Sequence, residues 1–291
     1  MALKPNTQTG TLDDHDQGSN DILISTGGPL FGDAMAMLGH SRGGNDTITG
    51  ADGLLNQIVG DALFMSEDSS GGNDVIIGGA GPGSDNVIIG DGGNTMSGHA
   101  RGGNDLLIGG DNALGNVINA DGFRMNGNTV GGNDTLVGGD GVGENHLRGD
   151  ANIMNDNAAG GNDVLIAGDN TADSVLQGDA RIMNGFSTGG NDRLISGNSA
   201  DTMWGDGSII NGPNVTFGAD TFVFAPGNNA DQIGDFRQTD HDMIDLSAFG
   251  FSGIGDLTIA TGVNTVIDFG GGNSVTLVGF ADPLTASDFI F

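Results

Sequence analysis

The stretch GGNDTITG, from Gly43 to Gly50, recurs along the chain and decides its fold. Close copies are GGNDVIIGG from Gly71, GGNDLLIGG from Gly102, GGNDTLVGG from Gly131, GGNDVLIAG from Gly160 and GGNDRLISG from Gly189. Weaker copies flank them, GSNDILIS from Gly18 and GADTFVF from Gly218. Successive aspartates, from Asp21 to Asp220, are 25, 28, 31, 29, 29, 29 and 28 residues apart. A repeat of this length predicts a solenoid.

The composition agrees with a turn-rich repeat protein of 291 residues. Glycine accounts for 57 residues, far above its usual share of ~7%, and falls at fixed places beside aliphatic triplets. The net charge of -30, from 38 acids and 8 lysines and arginines, argues against nucleic acid or an anionic membrane as partner. Such an excess of acid requires a cation. The absence of cysteine excludes disulfides and thiolate metal sites.

No apolar run is long enough for a transmembrane helix, and the N-terminal MALKPNTQTG lacks the apolar core of a cleavable signal. We therefore expect a soluble chain in three parts. Residues 1–17 form a flexible lead, residues 18–217 the repeats, and residues 218–291 a β cap, where ten of the fourteen phenylalanines lie. The acids at Asp13, Asp14 and Asp16 are either a cation site or a solvated tail.

Each repeat divides into three segments. The first is a short strand after GGND, whose inward residue lies two positions after the aspartate: Ile48, Ile76, Leu107, Leu136, Leu165 and Leu194. The second strand has middle residues Ile58, Ile88, Ile118, Leu147, Leu176 and Trp204. The third ends in Met37, Met65, Met96, Met125, Met154 and Met183, with Ile210 in the last copy. The methionines are either core filler, the interpretation we favour, or a soft-metal or partner-binding stripe.

The spacing from a second strand to the next GGND is 18 or 19 residues, which suggests a nine-residue module, two or three to a coil. Stacked parallel strands, about 4.8 Å apart, would align equivalent residues. In the GGND turn they would align six asparagines into an amide ladder with a positive φ: Asn45, Asn73, Asn104, Asn133, Asn162 and Asn191.

Two columns of aspartate follow from this stacking. The GGND column is Asp21, Asp46, Asp74, Asp105, Asp134, Asp163, Asp192 and Asp220. The GD column lies in the turn after the second strand: Asp33, Asp61, Asp91, Asp121, Asp150, Asp179 and Asp206. Like charges at this spacing repel by ~1 kcal/mol or more per pair, and a bound cation reverses the sign. Carboxylate, amide and carbonyl oxygens suit calcium better than magnesium or a transition metal.

GGND followed by an aliphatic strand resembles the glycine- and aspartate-rich nonapeptide of the RTX (repeats-in-toxin) proteins. The resemblance implies a right-handed parallel β-roll with several Ca²⁺ ions. It implies that the GGND aspartates and neighbouring glycine carbonyls hold calcium, at glycines Gly43, Gly71, Gly102, Gly131, Gly160 and Gly189. The family's roll has about 18 residues per turn, whereas this repeat is near 29. The GD aspartates either bind a second row of ions or cap turns.

The C-terminal segments GADTFVF, ADQIGDF, DMIDLSAF and LTASDFIF are similar to the C-terminal region of RTX proteins exported by type I secretion, including serralysins. That resemblance implies an uncleaved export signal and an extracellular or cell-surface location. Four acids of this region are either further calcium ligands or structural: Asp231, Asp235, Asp242 and Asp245.

Catalysis is not expected. The five histidines, His15, His40, His99, His146 and His241, show no HExxH or paired spacing, and no GxSxG elbow occurs. The sequence leaves no room for a serralysin-like protease domain before the repeats.

The leading hypothesis is a secreted protein that folds on calcium outside the cell. An apolar strip on the outer face of the first strands, including Val75 with Ile77 and Leu106 with Ile108, is covered either by loops or by another protomer. A structural or adhesive role follows, as a surface-layer, matrix or attachment component. The alternatives are a binding module accessory to an extracellular enzyme and, less favoured, an ice-binding solenoid, for which only Thr47 with Thr49 fits.

Overall fold

The structure is a computed structural model that describes residues 3–4 and 7–291, with side chains from residue 10 onward. It is a parallel β-solenoid of about 8 turns with a repeat near 29 residues and almost no helix. The predicted all-β solenoid is confirmed. Of the predicted lead, Met1, Ala2, Pro5 and Asn6 lie outside the described residues, and Thr7–Leu12 forms a strand that pairs with Ala34–Met37.

Three strands per coil build three long sheets. The GGND sheet contains Ile22–Ile24, Thr47–Thr49, Val75–Ile77, Leu106–Ile108, Thr135–Val137, Val164–Ile166, Arg193–Ile195, Thr221–Val223, Met243–Asp245 and Phe289–Ile290. The asparagine sheet contains Gly28–Phe31, Leu55–Val59, Asp85–Ile89, Gly115–Asn119, Glu144–Arg148, Asp173–Gln177, Asp201–Trp204, Ala230–Ile233, Asn273–Leu277, Thr265–Gly270 and Thr258–Thr261. The methionine sheet contains Thr7–Leu12, Ala34–Met37, Ala62–Met65, Gly92–Met96, Gly122–Met125, Ala151–Met154, Ala180–Asn184 and Gly207–Asn211.

Equivalent residues of successive coils are in register, as the repeat predicts. The GGND-sheet column from Ile48 to Leu194 is fully buried, and so are the methionines from Met37 to Met183. The methionines are therefore core residues. One inward residue was predicted wrongly: Met203, not Trp204, pairs with Leu176 and is fully buried.

Two separate hydrophobic cores run along the rod. Ile and Leu side chains between the GGND and asparagine sheets form the larger core. The methionines, with alanines such as Ala62 and Ala151, form the smaller one. In each coil the chain leaves the larger core at the GD turn, passes around the smaller core and returns through GGND. The two aspartate columns therefore lie where the chain crosses between the cores.

The predicted amide ladder forms in the GGND turn. Each asparagine side-chain oxygen accepts the backbone N–H of the asparagine in the following coil, as from Asn104 N to Asn73 Oδ1 at 2.9 Å. The expectation of a positive φ was wrong, because none of the six asparagines has one. A second, buried ladder was not predicted: Asn56, Asn86, Asn116 and Asn145 bond to one another through their side-chain amides in the asparagine sheet.

At the C-terminal end three strands lie in the segments LTIA, TVIDF and SVTLV. Thr258–Thr261, Thr265–Gly270 and Asn273–Leu277 pair antiparallel, and the last of them continues the asparagine sheet in parallel. The GGND sheet ends with Phe289–Ile290. Four short 3₁₀ helices complete this end: Gln238–Asp240, Ser247–Phe249, Ile254–Asp256 and Ala286–Asp288. Two short strands, Leu3–Lys4 and Gln17–Gly18, pair at the other end. No helix in the described part of the chain could span a membrane.

Candidate metal centre

The GGND aspartates form one continuous buried ladder. In each, Oδ1 accepts the backbone N–H of the aspartate one coil earlier, as from Asp74 N to Asp105 Oδ1 at 2.8 Å and from Asp105 N to Asp134 Oδ1 at 2.6 Å. The ladder runs from Asp21 through Asp220 to Asp242. The second oxygen of seven of these carboxylates is buried without a hydrogen-bond partner: Asp46, Asp74, Asp105, Asp134, Asp163, Asp192 and Asp220.

The GD aspartates form a second buried ladder. Each accepts the backbone N–H of the second glycine of the following GGND, 11 or 12 residues later, as from Gly103 N to Asp91 Oδ1 at 2.9 Å. This bond closes the arch that the chain makes around the methionine core. One oxygen remains unpaired in Asp33, Asp91, Asp121, Asp150 and Asp179.

Repulsion between Asp61 and Asp74, and between Asp91 and Asp105, shows that the two ladders lie near each other, and the glycines show how tightly the oxygens are packed. A Cβ at Gly71 would overlap carboxylate oxygens of both Asp61 and Asp91. A Cβ at Gly60, just before the GD aspartate, would overlap the unpaired Oδ2 of Asp74 and the carbonyl oxygen of Gly90. Free carboxylate oxygens and glycine carbonyls therefore share one narrow space. The residue before the GD aspartate is glycine in every coil of the GD column except one, where it is Ala120.

Most of these carboxylates are buried with no positively charged side chain nearby among those described, which makes their ionised form unfavourable. Desolvation raises the pKa of Asp46 to about 7, and repulsion from Asp33 and Asp21 adds to this shift. Desolvation also raises the pKa of Asp91 well above its usual value, with repulsion from Asp105, Asp61 and Asp121. The same two causes raise the pKa of Asp121, for which repulsion from Asp134 is stronger than that from Asp150. The ladders thus hold either protons or a compensating cation.

One cation is supplied by the chain itself. The guanidinium of Arg237 donates to Asp206 Oδ2 at 2.8 Å and stacks over the ring of Phe217 at 3.7 Å. It meets the last GD aspartate, whereas Asp91, Asp121 and Asp150 keep an unpaired oxygen. The GD column can therefore accommodate a positively charged group beside it.

The oxygen set fits a hard divalent cation. Gly71 and its equivalents lie beside GD carboxylate oxygens, and Gly60 and its equivalents lie beside a GGND carboxylate oxygen and, in most coils, a backbone carbonyl, all hard oxygen donors. The predicted ligand glycines lie beside the GD ladder, because a Cβ at Gly71, Gly102, Gly131, Gly160 or Gly189 would meet two GD carboxylates. A Cβ at Gly43 would meet Asp61 and the backbone nitrogen of Gly72.

The other predicted residues lie at the ends of the row or away from it. Asp21 is only partly buried at the first coil. Asp235 extends the GD column by accepting the N–H groups of Gly205 and Asp206. Asp231 lies in the asparagine sheet, where it bonds to Asn228 and to Asp201 N. Asp245 forms an ion pair with Arg193 at 3.0 Å.

Sequence reasoning did not include Arg237 in the site or place Asp242 in the GGND ladder. The signal for Asp242 was present, since Ile244 follows it at the spacing by which Ile76 follows Asp74. An exposed cluster of Asp14, His15 and His40 was also missed because His40 is distant in sequence from the other two; Asp14 Oδ1 lies 2.7 Å from His40 Nδ1.

The chain was compared with known protein families and with curated proteins. No family model matches it, and no curated protein matches its sequence.

Proposed function

We propose that this chain is a calcium-binding solenoid whose folding is coupled to the ion. The observation that carries the proposal is the pair of facing, buried aspartate ladders, in which one oxygen of most carboxylates has no partner. Buried polar atoms are nearly always satisfied in proteins, so a whole row of exceptions indicates a missing ligand. The resemblance of GGND to RTX repeats supports the same proposal.

The energetics favour occupation by a cation. Neighbouring carboxylates in a ladder are about one strand spacing, ~4.8 Å, apart, and each ionised pair repels by roughly 1 to 3 kcal/mol. Desolvation adds to this cost. Protonation relieves both terms in acid. Near neutral pH a divalent ion relieves them and releases the protons, so ion binding becomes folding free energy.

Calcium fits better than magnesium. Calcium accepts six to eight oxygens in irregular arrangements, whereas magnesium requires near-ideal octahedral geometry and keeps much of its water. The space between the ladders is lined by carboxylates and glycine carbonyls whose positions are fixed by the backbone. It has little room for an ion that keeps its hydration shell.

The test is a calcium titration of chelator-treated protein followed by far-ultraviolet circular dichroism, with magnesium as control. We expect calcium, but not magnesium, to produce β structure and to raise the melting temperature. A chelator-treated protein that is fully folded at pH 7 and unaffected by calcium would overturn the proposal.

A matched pair of variants locates the ions. Asp121→Asn with Asp134→Asn removes two facing charges from the ladders, whereas Asp111→Asn with Asp140→Asn removes two from exposed turn positions of the same coils. We expect the first variant to bind at least one calcium ion fewer by calorimetry, with weaker affinity at adjacent sites. The second should match the parent. Equal stoichiometry in both variants would place the ions outside the ladders.

Secretion and an extracellular structural or adhesive role belong to the same proposal. Low cytosolic calcium would keep the acidic chain unfolded for type I export, and external calcium would fold it. The apolar strip supports a surface for self-association, because Ile77 is 38% exposed and Val75, Leu106 and Ile108 are half-buried on the outer face of the GGND sheet.

Two measurements check these roles. Full-length protein should reach the medium only from cells that carry a type I exporter. Light scattering should show calcium-dependent assembly. Export without the exporter contradicts the first role, and a monomer at every calcium concentration contradicts the second.

A further inference from the structure

An apolar cavity opens between the asparagine and methionine sheets, and we call this cavity, together with the strip that continues it along the rod past Arg148, the groove. Its floor is a single column in strict register: Phe31, Val59, Ile89, Asn119, Arg148, Gln177 and Trp204. The methionine sheet supplies the other wall, with Leu63 and Phe123 at one end and Arg181 further along. A hydrogen bond from Gln177 Nε2 to Ser208 Oγ, 2.7 Å long, connects the two walls.

The first half of the groove is apolar. Phe31, Val59 and Ile89 form a small buried cluster with Leu63 packed against it. Together with Pro29, Val87 and Phe123 they line a cavity of ≈ 310 Å³, which is within the range of small-molecule sites. Ile58 of the larger core also lines this cavity.

The second half of the groove is basic. Arg148 is 7% exposed, yet its guanidinium donates only to neutral oxygens, to Gln177 Oε1 at 3.0 Å and to Asn119 Oδ1 at 3.2 Å. Arg181 lies close to it and donates to Asn152 Oδ1 at 3.3 Å. Among the side chains described from residue 10 onward, no carboxylate lies within 4.0 Å of either guanidinium. The nearest acid on this strand, Glu144, pairs with His146 instead.

This pairing pattern is unexpected in a chain with 38 acids and 8 lysines and arginines. A buried arginine is normally paired with a carboxylate. Desolvation lowers the pKa of Arg148 to about 10, and repulsion from Arg181 lowers it further, so the cost of burying this charge is uncompensated within the chain. An anionic ligand in the groove would compensate it.

We propose that the groove binds a fatty acid, with the carboxylate at Arg148 and Arg181 and the acyl chain along Ile89 and Val59. The arginine fork matches a carboxylate in shape and charge. From Arg148 to Val59 is three strand spacings, roughly 14 Å, which the twelve-carbon chain of dodecanoate spans and a short carboxylic acid does not. The column is apolar at one end and basic at the other, as a fatty acid has an apolar chain at one end and a carboxylate at the other.

The experiment titrates dodecanoate into the full-length protein by calorimetry, at concentrations where its calcium salt stays soluble, with Trp204 fluorescence as a second readout. Dodecanol and acetate are the comparison ligands, since one lacks the charge and the other the chain. We expect saturable binding of one dodecanoate and at least ~10-fold weaker binding of both comparison ligands. Absence of dodecanoate binding, or equal affinity for dodecanol, overturns the proposal.

Three variants assign the two ends. Arg181→Gln, at a half-buried position, should weaken dodecanoate binding ~10-fold without changing that of dodecanol, whereas Arg101→Gln, at an exposed position outside the groove, should change neither. Ile89→Asn introduces the residue found at the equivalent position of the next coil, Asn119, and should weaken the binding of both dodecanoate and dodecanol. Each variant is first checked for the parent's circular dichroism. Unchanged binding in Arg181→Gln and Ile89→Asn together would refute the assignment.

Discussion

At the scale of single residues, the paired glycines of GGND are explained by contacts between coils. The second glycine of each pair lies directly over the carbonyl oxygen of the second glycine one coil earlier, as Gly72 does over Gly44. The first lies against the GD carboxylates. None of these glycines has a positive φ. They are therefore required by lack of space for a Cβ, not by backbone conformation.

Gly72→Ala tests this explanation. The added Cβ would overlap the carbonyl oxygen of Gly44, which is backbone and cannot rotate away, so we expect a loss of at least ~3 kcal/mol in the free energy of unfolding. Gly115→Ala is the matched control, because the nearest atom to its Cβ would be 3.6 Å away. It should be neutral or stabilise by up to ~1 kcal/mol. Urea unfolding in calcium measures both, and equal effects would contradict the steric explanation.

At the scale of elements, the buried asparagine ladder holds the turn between each GGND-sheet strand and the following asparagine-sheet strand in place. The side chain of Asn86 accepts the N–H of Gly79 at 2.9 Å, donates to the carbonyl of Gly79 at 2.9 Å and donates to Asn116 Oδ1 at 2.8 Å. Every polar atom of this amide is thereby satisfied in a fully buried position. The ladder thus compensates buried backbone groups that the turn leaves without strand partners.

Asn86→Ala should be costly because it leaves several buried polar groups unpaired. We expect a decrease of about 2–4 kcal/mol in the free energy of unfolding. Asn157→Ala provides the comparison, since this exposed asparagine belongs to a solvent-facing ladder with Asn128 and should cost under ~0.5 kcal/mol. A cost below ~1 kcal/mol for the buried variant would show that water replaces the amide.

How much of these elements the sequence predicts depends on the kind of contact. The inward residues, such as Ile76 and Leu107, follow from the repeat because a strand alternates its faces and coils stack in register. Trp204 was misassigned by one position, and a one-residue slip moves a side chain to the other face. Counting three residues back from the GD aspartate, as in Leu176 and Asp179, identifies Met203.

The meeting of the two aspartate columns was beyond sequence reasoning. The columns are separated along the chain by the arch around the methionine core, and the constant spacing of Asp61 and Gly72 and their equivalents does not by itself show that the two residues bond to each other. The basic half of the groove was missed for a similar reason. Arg148 and Arg181 occupy non-equivalent columns of different sheets, so no alignment of repeats places them together.

At the scale of the whole molecule, the summed carboxylate ladders determine how stability depends on pH. Desolvation raises the pKa of Asp33 and Asp150 to about 6 and that of Asp206 to about 7, from an ordinary 3.8. Between these values the folded chain binds more protons than the unfolded chain, so stability falls as pH rises. A tenfold tighter hold on one proton contributes about 1.4 kcal/mol, and the ladders contain many such groups.

Chelator-treated protein should therefore melt at its highest temperature near pH 4 and lose stability steadily up to pH 7 and beyond. Calcium-saturated protein should show the opposite trend over the same range, because protons compete with the ion for the carboxylates. Calorimetric melting at high salt, which screens the surface charges but not the buried ones, measures both. A metal-free protein that becomes more stable from pH 4 to pH 7 would contradict the raised pKa values.

The bond between Asp105 N and Asp134 Oδ1 is repeated, donor for donor, between Asp134 N and Asp163 Oδ1. Each coil thus donates to the following coil the same bond that it accepts from the preceding one. Duplication or deletion of a complete 29-residue segment in the gene would rejoin every ladder without a mismatch, whereas a shorter insertion in a strand would break all of them at once. Rod length is consequently free to change in evolution, but only by whole coils.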